Sequence, residues 1–187
     1  MPLDITFTLS DQDLEHFQQI VDKARAAMDS DRNAAQIEAA ARQLIEDATS
    51  TELPDFIADR LAKLQVVINM LTDAEWNLGE EDRNRVLGAL LYFCDPEDLI
   101  PDHIPGLGFL DDAIYVELVL QELRAEITSY EEFCAYRIAE ENRRRAQGLD
   151  PHVEREAWLA DKRATLHARM RKRRRSGASS GGWRLRW

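Results

Sequence analysis

The chain has little cysteine, glycine or proline for its 187 residues: 2 Cys, 8 Gly and 6 Pro. The two cysteines, Cys94 and Cys134, cannot build a disulfide framework and show no metal-ligand spacing, so we expect reduced thiols in a cytosol. No apolar run approaches the roughly 20 residues that cross a bilayer, and no basic segment followed by an apolar stretch opens the chain. Composition therefore argues against a secreted or integral membrane protein and predicts a cytoplasmic location.

Positive charge is scarce over most of the chain. Residues 1–160 hold 14 Lys and Arg against 34 Asp and Glu, whereas residues 161–187 hold 10 Lys and Arg against one Asp. The formal net charge of −11 thus conceals an acidic body and a basic end. Such a basic end is typical of segments that contact polyanions, while an acidic body is most simply a solvated surface.

Alternating apolar patterns are nearly absent, and residues 3–7 are the one candidate strand. Apolar residues otherwise recur every three or four positions, which indicates helices. The sequence predicts an all-α protein, with a compact body of about six to seven helices and a basic, partly disordered C-terminal tail. The predicted helices cover about 11–28, 33–48, 54–71, 81–94, 112–126, 130–147 and 151–173.

Several residues mark the predicted helix ends. Pro54 suits the first position of the third helix, and Ser129 with Glu132 forms a capping-box pattern before the sixth. Gly148 suits the end of that helix. Helix 112–126 is apolar over more than half its circumference, so we expect it to be the central buried helix. Residues 176–182 have the composition of a flexible linker.

The segment between Cys94 and Asp112 is rich in turn-forming residues. Three of the six prolines and two of the eight glycines lie within 13 residues: Pro96, Pro101, Pro105, Gly106 and Gly108. Proline fixes φ and removes a donor, while glycine permits φ > 0, so we predict a rigid, specified reversal. Its many large apolar residues predict that it folds back onto the flanking helices.

The run from Pro96 to Asp112, PEDLIPDHIPGLGFLDD, resembles the signature of the YkvA family, a small bacterial domain of unknown function. The family pattern is P-x-D-[LI]-I-P-D-x-I-P-x-[LI]-G-[YF]-[LI]-D-D between two helices. The resemblance implies a helical hairpin over about 62–126 and carries over no activity. Some family members are membrane-associated. Because this sequence has no spanning segment, we do not carry that property over to it.

This resemblance divides the chain into four parts. Residues 1–61 are an N-terminal helical segment, and residues 62–126 are the YkvA-like hairpin. Residues 127–175 are C-terminal helices of increasing basicity, and residues 176–187 are a flexible tail.

Four carboxylates lie in the motif: Asp98, Asp102, Asp111 and Asp112. The preferred interpretation is structural, with Asp111 capping the fifth helix, Asp112 in its first turn, and the other two bonding loop amides. The alternatives are a divalent-cation site, because carboxylates suit Mg²⁺ or Ca²⁺, and a catalytic pair. His103, without a second His or matched Cys nearby, is interpreted as a surface residue, and we expect no resident cofactor.

A second candidate site is the basic end of the chain, as a contact for a polyanion or a protein partner. One or two basic charges suffice to complement a helix dipole, and this segment has more. The alternatives are docking on the acidic body, binding an acidic protein, and binding nucleic acid or anionic lipid with the tryptophans stacking on bases or lying at headgroups. The residues concerned are Arg169, Arg171, Lys172, Arg173, Arg174, Arg175, Trp183 and Trp187.

No nucleotide-binding or nucleophile-elbow signature is present. We therefore interpret the chain as a non-enzymatic helical interaction or adaptor module with a basic tail and a protein partner. The alternatives are a metal-dependent enzyme that uses the motif aspartates, and a peripheral binder of anionic membrane or nucleic acid.

Overall fold

A computed structural model describes residues 34–49, 53–94 and 109–177, together with Gln19. These residues form six α-helices and no strand, which confirms the all-α prediction. The helices are α1 (Ala34–Thr49), α2 (Asp55–Thr72), α3 (Glu80–Leu90), α4 (Leu110–Glu122), α5 (Arg124–Ala146) and α6 (Arg155–Gly177), with a 3₁₀ turn at Leu91–Cys94. The predicted strand at 3–7 and, apart from Gln19, the predicted helix at 11–28 lie outside the described residues. The four-part division stays a prediction.

Helices α1 and α2 begin and end within about one residue of their predicted bounds. Pro54 lies immediately before α2 as its N-cap, with φ −56° and ψ 140°, one position earlier than predicted. Its carbonyl accepts hydrogen bonds from the amides of Ile57 and Ala58 at 2.9 and 3.1 Å. Because proline has no N–H, a helix start is where its missing donor costs least.

The core is organised around α2 rather than around the helix predicted to be central. Helix α2 packs against α1, α3, α4 and α5. Its side chains Ile57, Leu64 and Ile68 are fully buried. Helix α4 is also largely buried, with Tyr115 and Val116 fully enclosed, but it packs against α2, α3 and α5.

The junction between α4 and α5 differs from the predicted one. Helix α4 ends at Glu122, and after the single residue Leu123 helix α5 begins at Arg124. Ser129 is therefore a fully buried residue inside α5, and the predicted capping box is wrong. Burial of Leu123 at this corner outweighs the local capping pattern, because a fully buried leucine contributes about 2 kcal/mol, against about 1 for a cap.

The start of α4 also departs from the prediction. Its N-cap is Phe109, which makes no side-chain capping hydrogen bond. Asp111 lies within the first turn, so its predicted role as the cap is wrong. Asp112 follows it in the first turn, as predicted, and is buried.

Helices α5 and α6 form a hairpin that ends the described chain. Gly148 closes α5 with φ +72°, and the amides of Gly148 and Leu149 donate to the carbonyls of Arg145 and Arg144. Helix α6 continues through Ser176 and Gly177, so these two residues are helical rather than part of a linker. The rest of the predicted tail, residues 178–187, lies outside the described residues.

Replacement of Gly148 by Ala should lower the free energy of unfolding by about 1 kcal/mol, because a residue with a Cβ disfavours positive φ. A Cβ at this position meets no atom within 4 Å, so the loss reports backbone conformation alone. Urea unfolding measures it. Gly79→Ser is the control, because Gly79 is an N-cap with φ −62° and also has open space, so serine should be neutral or stabilising there. Equal stability of Gly148→Ala and wild type would contradict the prediction.

Candidate functional site

The basic helix end, defined as Arg169, Arg171, Lys172, Arg173, Arg174 and Arg175, forms the last two turns of α6. Leu159, Leu166 and Met170 are fully buried and form the apolar stripe that fixes the rotation of this helix. At 100° per residue, this stripe leaves Lys172 and Arg175 on the opposite, exposed face. The basic residues are therefore distributed around the helix, with some against the body and some towards solvent.

Arg174 is bound to carboxylates that are themselves buried. Its Nη1 lies 2.6 Å from Asp82 Oδ1 and 3.4 Å from Glu126 Oε1. Asp82 is 2% exposed and Glu126 is fully buried. Arg85 of α3 donates to Glu126 Oε1 at 3.2 Å and also pairs with Glu122. This buried charge cluster, Asp82, Arg85, Glu122, Glu126 and Arg174, joins α3, α4, α5 and α6.

Arg169 and Arg173 are bound differently, to one half-exposed carboxylate. Glu132 Oε2 accepts from Arg169 Nη1 at 2.9 Å, and Glu132 Oε1 accepts from Arg173 Nη2 at 2.7 Å. The side chains of Arg169, Arg173 and Glu132 are 48%, 38% and 32% exposed. The hydrogen bond from Arg173 holds the pKa of Glu132 below its usual range, although partial burial acts in the opposite direction.

The remaining basic residues point mainly to solvent. Arg171 has one long contact, 3.4 Å from its Nη1 to Asp82 Oδ2, and its side chain is 43% exposed. Lys172 and Arg175 are exposed. The structure thus places the predicted arginines on one helix and pairs four of them with the acidic body. Trp183 and Trp187 lie outside the described residues.

The loop between α2 and α3, residues 73–79, holds the hairpin to the body. Asp73 Oδ1 accepts the amides of Glu75 and Trp76 at 2.9 and 3.1 Å. Its Oδ2 accepts from Tyr130 Oη at 3.2 Å and from Arg137 Nη1 at 2.8 Å. One carboxylate therefore both shapes the loop and binds α5.

Trp76 is fully buried against both helices of the hairpin. Its ring centroid lies 5.8 Å from Tyr130, 5.1 Å from Phe133 and 4.3 Å from His167. Beside it, Arg163 Nη1 donates to the carbonyl of Glu75 at 2.8 Å. The predicted helices 54–71 and 81–94 leave a loop here, but the burial of Trp76 was not predicted, because an isolated tryptophan between polar residues belongs to no apolar periodicity.

His167 is the one partly buried histidine in the described part of the chain. Its ring meets Trp76 edge to face, and Nε2 is buried without a hydrogen-bond partner. Burial lowers the pKa of His167, and the positive charges of Arg171 and Arg163 lower it further, whereas Asp82 raises it. The folded protein therefore favours the neutral ring.

The motif predicted to carry carboxylate chemistry is described only at its end. Asp111 and Asp112 lie in the first turn of α4, and Asp112 is buried. Apart from the helix positions of Asp111 and Asp112, neither the structural nor the cation-binding interpretation of the four aspartates is tested, and both stay predictions. Among the described residues, no group of three or more His, Cys, Asp or Glu side chains is arranged to hold a metal ion. The other motif residues, Pro96, Asp98, Pro101, Asp102, His103, Pro105, Gly106 and Gly108, lie outside the described residues.

The fold defines an all-helical protein in which α3 and α4 flank the proline-rich segment. Residues 85–118 match the model of a family described as a protein family of unknown function, DUF1232. Over 65 residues the chain is 37% identical to the Bacillus subtilis (strain 168) protein named "Uncharacterized membrane protein YkvA", a match covering 32% of this chain and 61% of that relative. These matches support the assignment of residues 85–118 to the YkvA-like family and confirm the resemblance of the motif.

The chain spans about 61% of the length of this curated relative. No solved structure matches the chain significantly. None of the described helices is long and apolar enough to cross a membrane.

Substitution of Arg174 by Gln should lower the free energy of unfolding by about 2 kcal/mol, because it removes the shortest ion pair of the buried Asp82 and leaves Glu126 with Arg85 alone. The same substitution at Arg175, which is exposed on the same helix turn, should change it by less than about 0.5 kcal/mol. Urea unfolding of the two variants at neutral pH makes the comparison. Similar losses in both would show that the contacts to Asp82 and Glu126 do not stabilise the fold.

Stability should fall as the pH decreases below the unfolded pKa of histidine, about 6.5, towards the lower folded pKa of His167. In that range the unfolded chain binds the proton more readily than the folded one. The measurement is the difference in unfolding free energy between pH 8 and pH 5.5, which should be larger for wild type than for His167→Gln. His152→Gln, at an exposed position, is the control and should behave as wild type. The same pH dependence in all three proteins would contradict the assignment to His167.

Proposed function

We propose that this protein is a non-enzymatic helical interaction module whose basic helix end binds an acidic protein partner. The family to which its segment is assigned has no established function, so the proposal rests on the C-terminal hairpin. The single observation that carries it is the basic face of α6 opposite the buried stripe, formed by the exposed Lys172 and Arg175 and by Arg171, whose side chain is 43% exposed beside them.

A basic face on a docked helix favours specific binding of a partner over non-specific electrostatic attraction. Arg174 ties the helix to the buried charge cluster, and Met170, one turn before it, is fully buried. The exposed cations therefore have fixed backbone positions on a docked helix. When a partner binds, mainly the side chains of these residues lose conformational freedom. That lowers the entropic cost of association, and the concentrated positive charge accelerates encounter.

Carboxylate groups are the ligands that the arginines of this helix bind within the protein itself. The pairs of Arg169, Arg171, Arg173 and Arg174 in the described structure are with Asp and Glu side chains on neighbouring helices. Planar guanidinium groups suit carboxylates in this way. An acidic helix of a partner protein would meet the outer face with the same complementarity.

Fluorescence polarisation of labelled poly-L-glutamate tests the proposal with the full chain. We expect binding at 50 mM salt and weaker binding at 200 mM, because salt screens the exposed charges. The triple variant Arg171→Gln, Lys172→Gln, Arg175→Gln should bind with about tenfold lower affinity, which corresponds to about 0.5 kcal/mol for each exposed contact. A matched triple variant with the same charge change elsewhere, Lys63→Gln, Arg143→Gln, Arg145→Gln, should bind nearly as wild type does.

Two outcomes would contradict the proposal. One is the absence of binding by the wild type at 50 mM salt, and the other is an equal loss in the two triple variants, which would mean that only net charge matters. A labelled oligonucleotide is measured in parallel. Clearly tighter binding of the oligonucleotide would replace the acidic protein with a nucleic acid as the partner class.

A second candidate is peripheral contact with an anionic membrane surface. It is favoured by the name of the Bacillus subtilis relative, which calls that protein a membrane protein. Basic helix faces bind anionic lipids at about 1 kcal/mol per residue near the surface. Sedimentation with phosphatidylserine vesicles, for the full chain and for the triple variant Arg171→Gln, Lys172→Gln, Arg175→Gln, separates this candidate from the first. Vesicle binding that is lost in the triple variant, with no binding of poly-L-glutamate by the wild type, would favour the membrane. Binding of poly-L-glutamate without binding of vesicles would favour the protein partner.

A further inference from the structure

We propose that Glu132 is a built-in competitor of the acidic partner: in the free protein it occupies Arg169 and Arg173, and it releases them when the partner binds. The inference rests on the proposed function and adds the regulation of the same surface. Each carboxylate oxygen of Glu132 accepts from one arginine, at 2.9 and 2.7 Å. The two arginines lie four residues apart on α6, so one side chain satisfies two adjacent turns of the basic helix end.

The competitor is distinguished from the buried anchor by its exposure. Arg174 is 22% exposed and its partners Asp82 and Glu126 are buried, so separating them removes one cation from two buried carboxylates that water cannot readily solvate. Glu132, Arg169 and Arg173 retain between a third and a half of their side-chain exposure. Water can replace the contacts of such exposed pairs, which makes their exchange cheap. The helix therefore stays docked through Arg174 while the Glu132 pairs open.

The position of Glu132 makes it a stand-in for the partner's carboxylate. Arg169 borders the exposed face that holds Lys172 and Arg175 and widens this face when it is released, while Arg173 lies one turn further along the same side of the helix, nearer the body. Ser129, one turn earlier on α5, accepts a long 3.4 Å contact from Arg173 and holds it towards the body. A partner that presents acidic groups along one helix face would gain two more guanidinium groups by displacing Glu132. While Glu132 occupies the two arginines, only a fraction of the molecules has them available to the partner. The apparent affinity for the partner is lowered by that fraction.

The test compares two neighbouring glutamates on α5 in the full chain. Glu132→Gln and Glu131→Gln change the net charge equally, and Glu131 is exposed. The probe is labelled poly-L-glutamate at 50 mM salt. We expect Glu132→Gln to bind it about three- to tenfold more tightly than wild type does, as expected for the loss of two exposed ion pairs, and Glu131→Gln to differ from wild type by less than about twofold. Thermal unfolding of both variants establishes that they are folded.

A second comparison, in a variant that lacks the two arginines, tests whether they cause the increase in affinity. In a protein that already carries Arg169→Gln and Arg173→Gln, the further change Glu132→Gln should leave the affinity unchanged, because no guanidinium group remains to be released. An equal gain for Glu132→Gln and Glu131→Gln would overturn the inference, as would a full gain from Glu132→Gln in the double-arginine background. These results would leave the proposed function standing if the wild type binds. Absence of binding in every variant would instead overturn the proposed function and this inference with it.

Discussion

Burial of Trp76 is the interaction on which the arrangement of the helices depends. The loop of residues 73–79 joins α2 to α3, and the indole extends from it between α5 and α6. A fully buried tryptophan contributes more apolar surface than other side chains do, so the hairpin has one strongly preferred position on the body. Asp73 reinforces that position, because its carboxylate binds loop amides on one side and Arg137 and Tyr130 on the other.

The position of the hairpin in turn decides what the basic helix end contacts. With His167 against Trp76, the two turns that follow pass α3 and the start of α5, where Asp82 and Glu126 are buried. Like charges on adjacent turns would otherwise destabilise the end of the helix. The acidic body compensates the inner arginines and leaves the outer ones exposed. The charge asymmetry of the chain thus contributes to stability, and the proposed function assigns the exposed part of it to partner binding.

Predictions from the sequence succeeded where one local rule governs the structure. Helices α1 and α2 were located from apolar periodicity, and Gly148 was identified as the end of α5 because few residues tolerate its positive φ. Predictions were wrong where tertiary packing opposed a local pattern. Ser129 and Glu132 have the spacing of a capping box, yet Ser129 is buried in the interior of α5 and Glu132 binds two arginines of α6.

The candidate site shows the same division. A cluster of basic residues after an acidic body is visible in the order of residues alone, because charge needs no neighbour to be counted. The sequence by itself determined the all-helical class, the helix periods, the YkvA-like motif and the two-signed charge distribution, since each depends only on residue types and on their spacing along the chain. Only the tertiary structure decided that Arg174 is anchored by buried carboxylates while Arg169 and Arg173 share Glu132. These partners lie 37 to 92 residues apart, and pairing over such distances is set by the packing of whole helices, which no local pattern encodes.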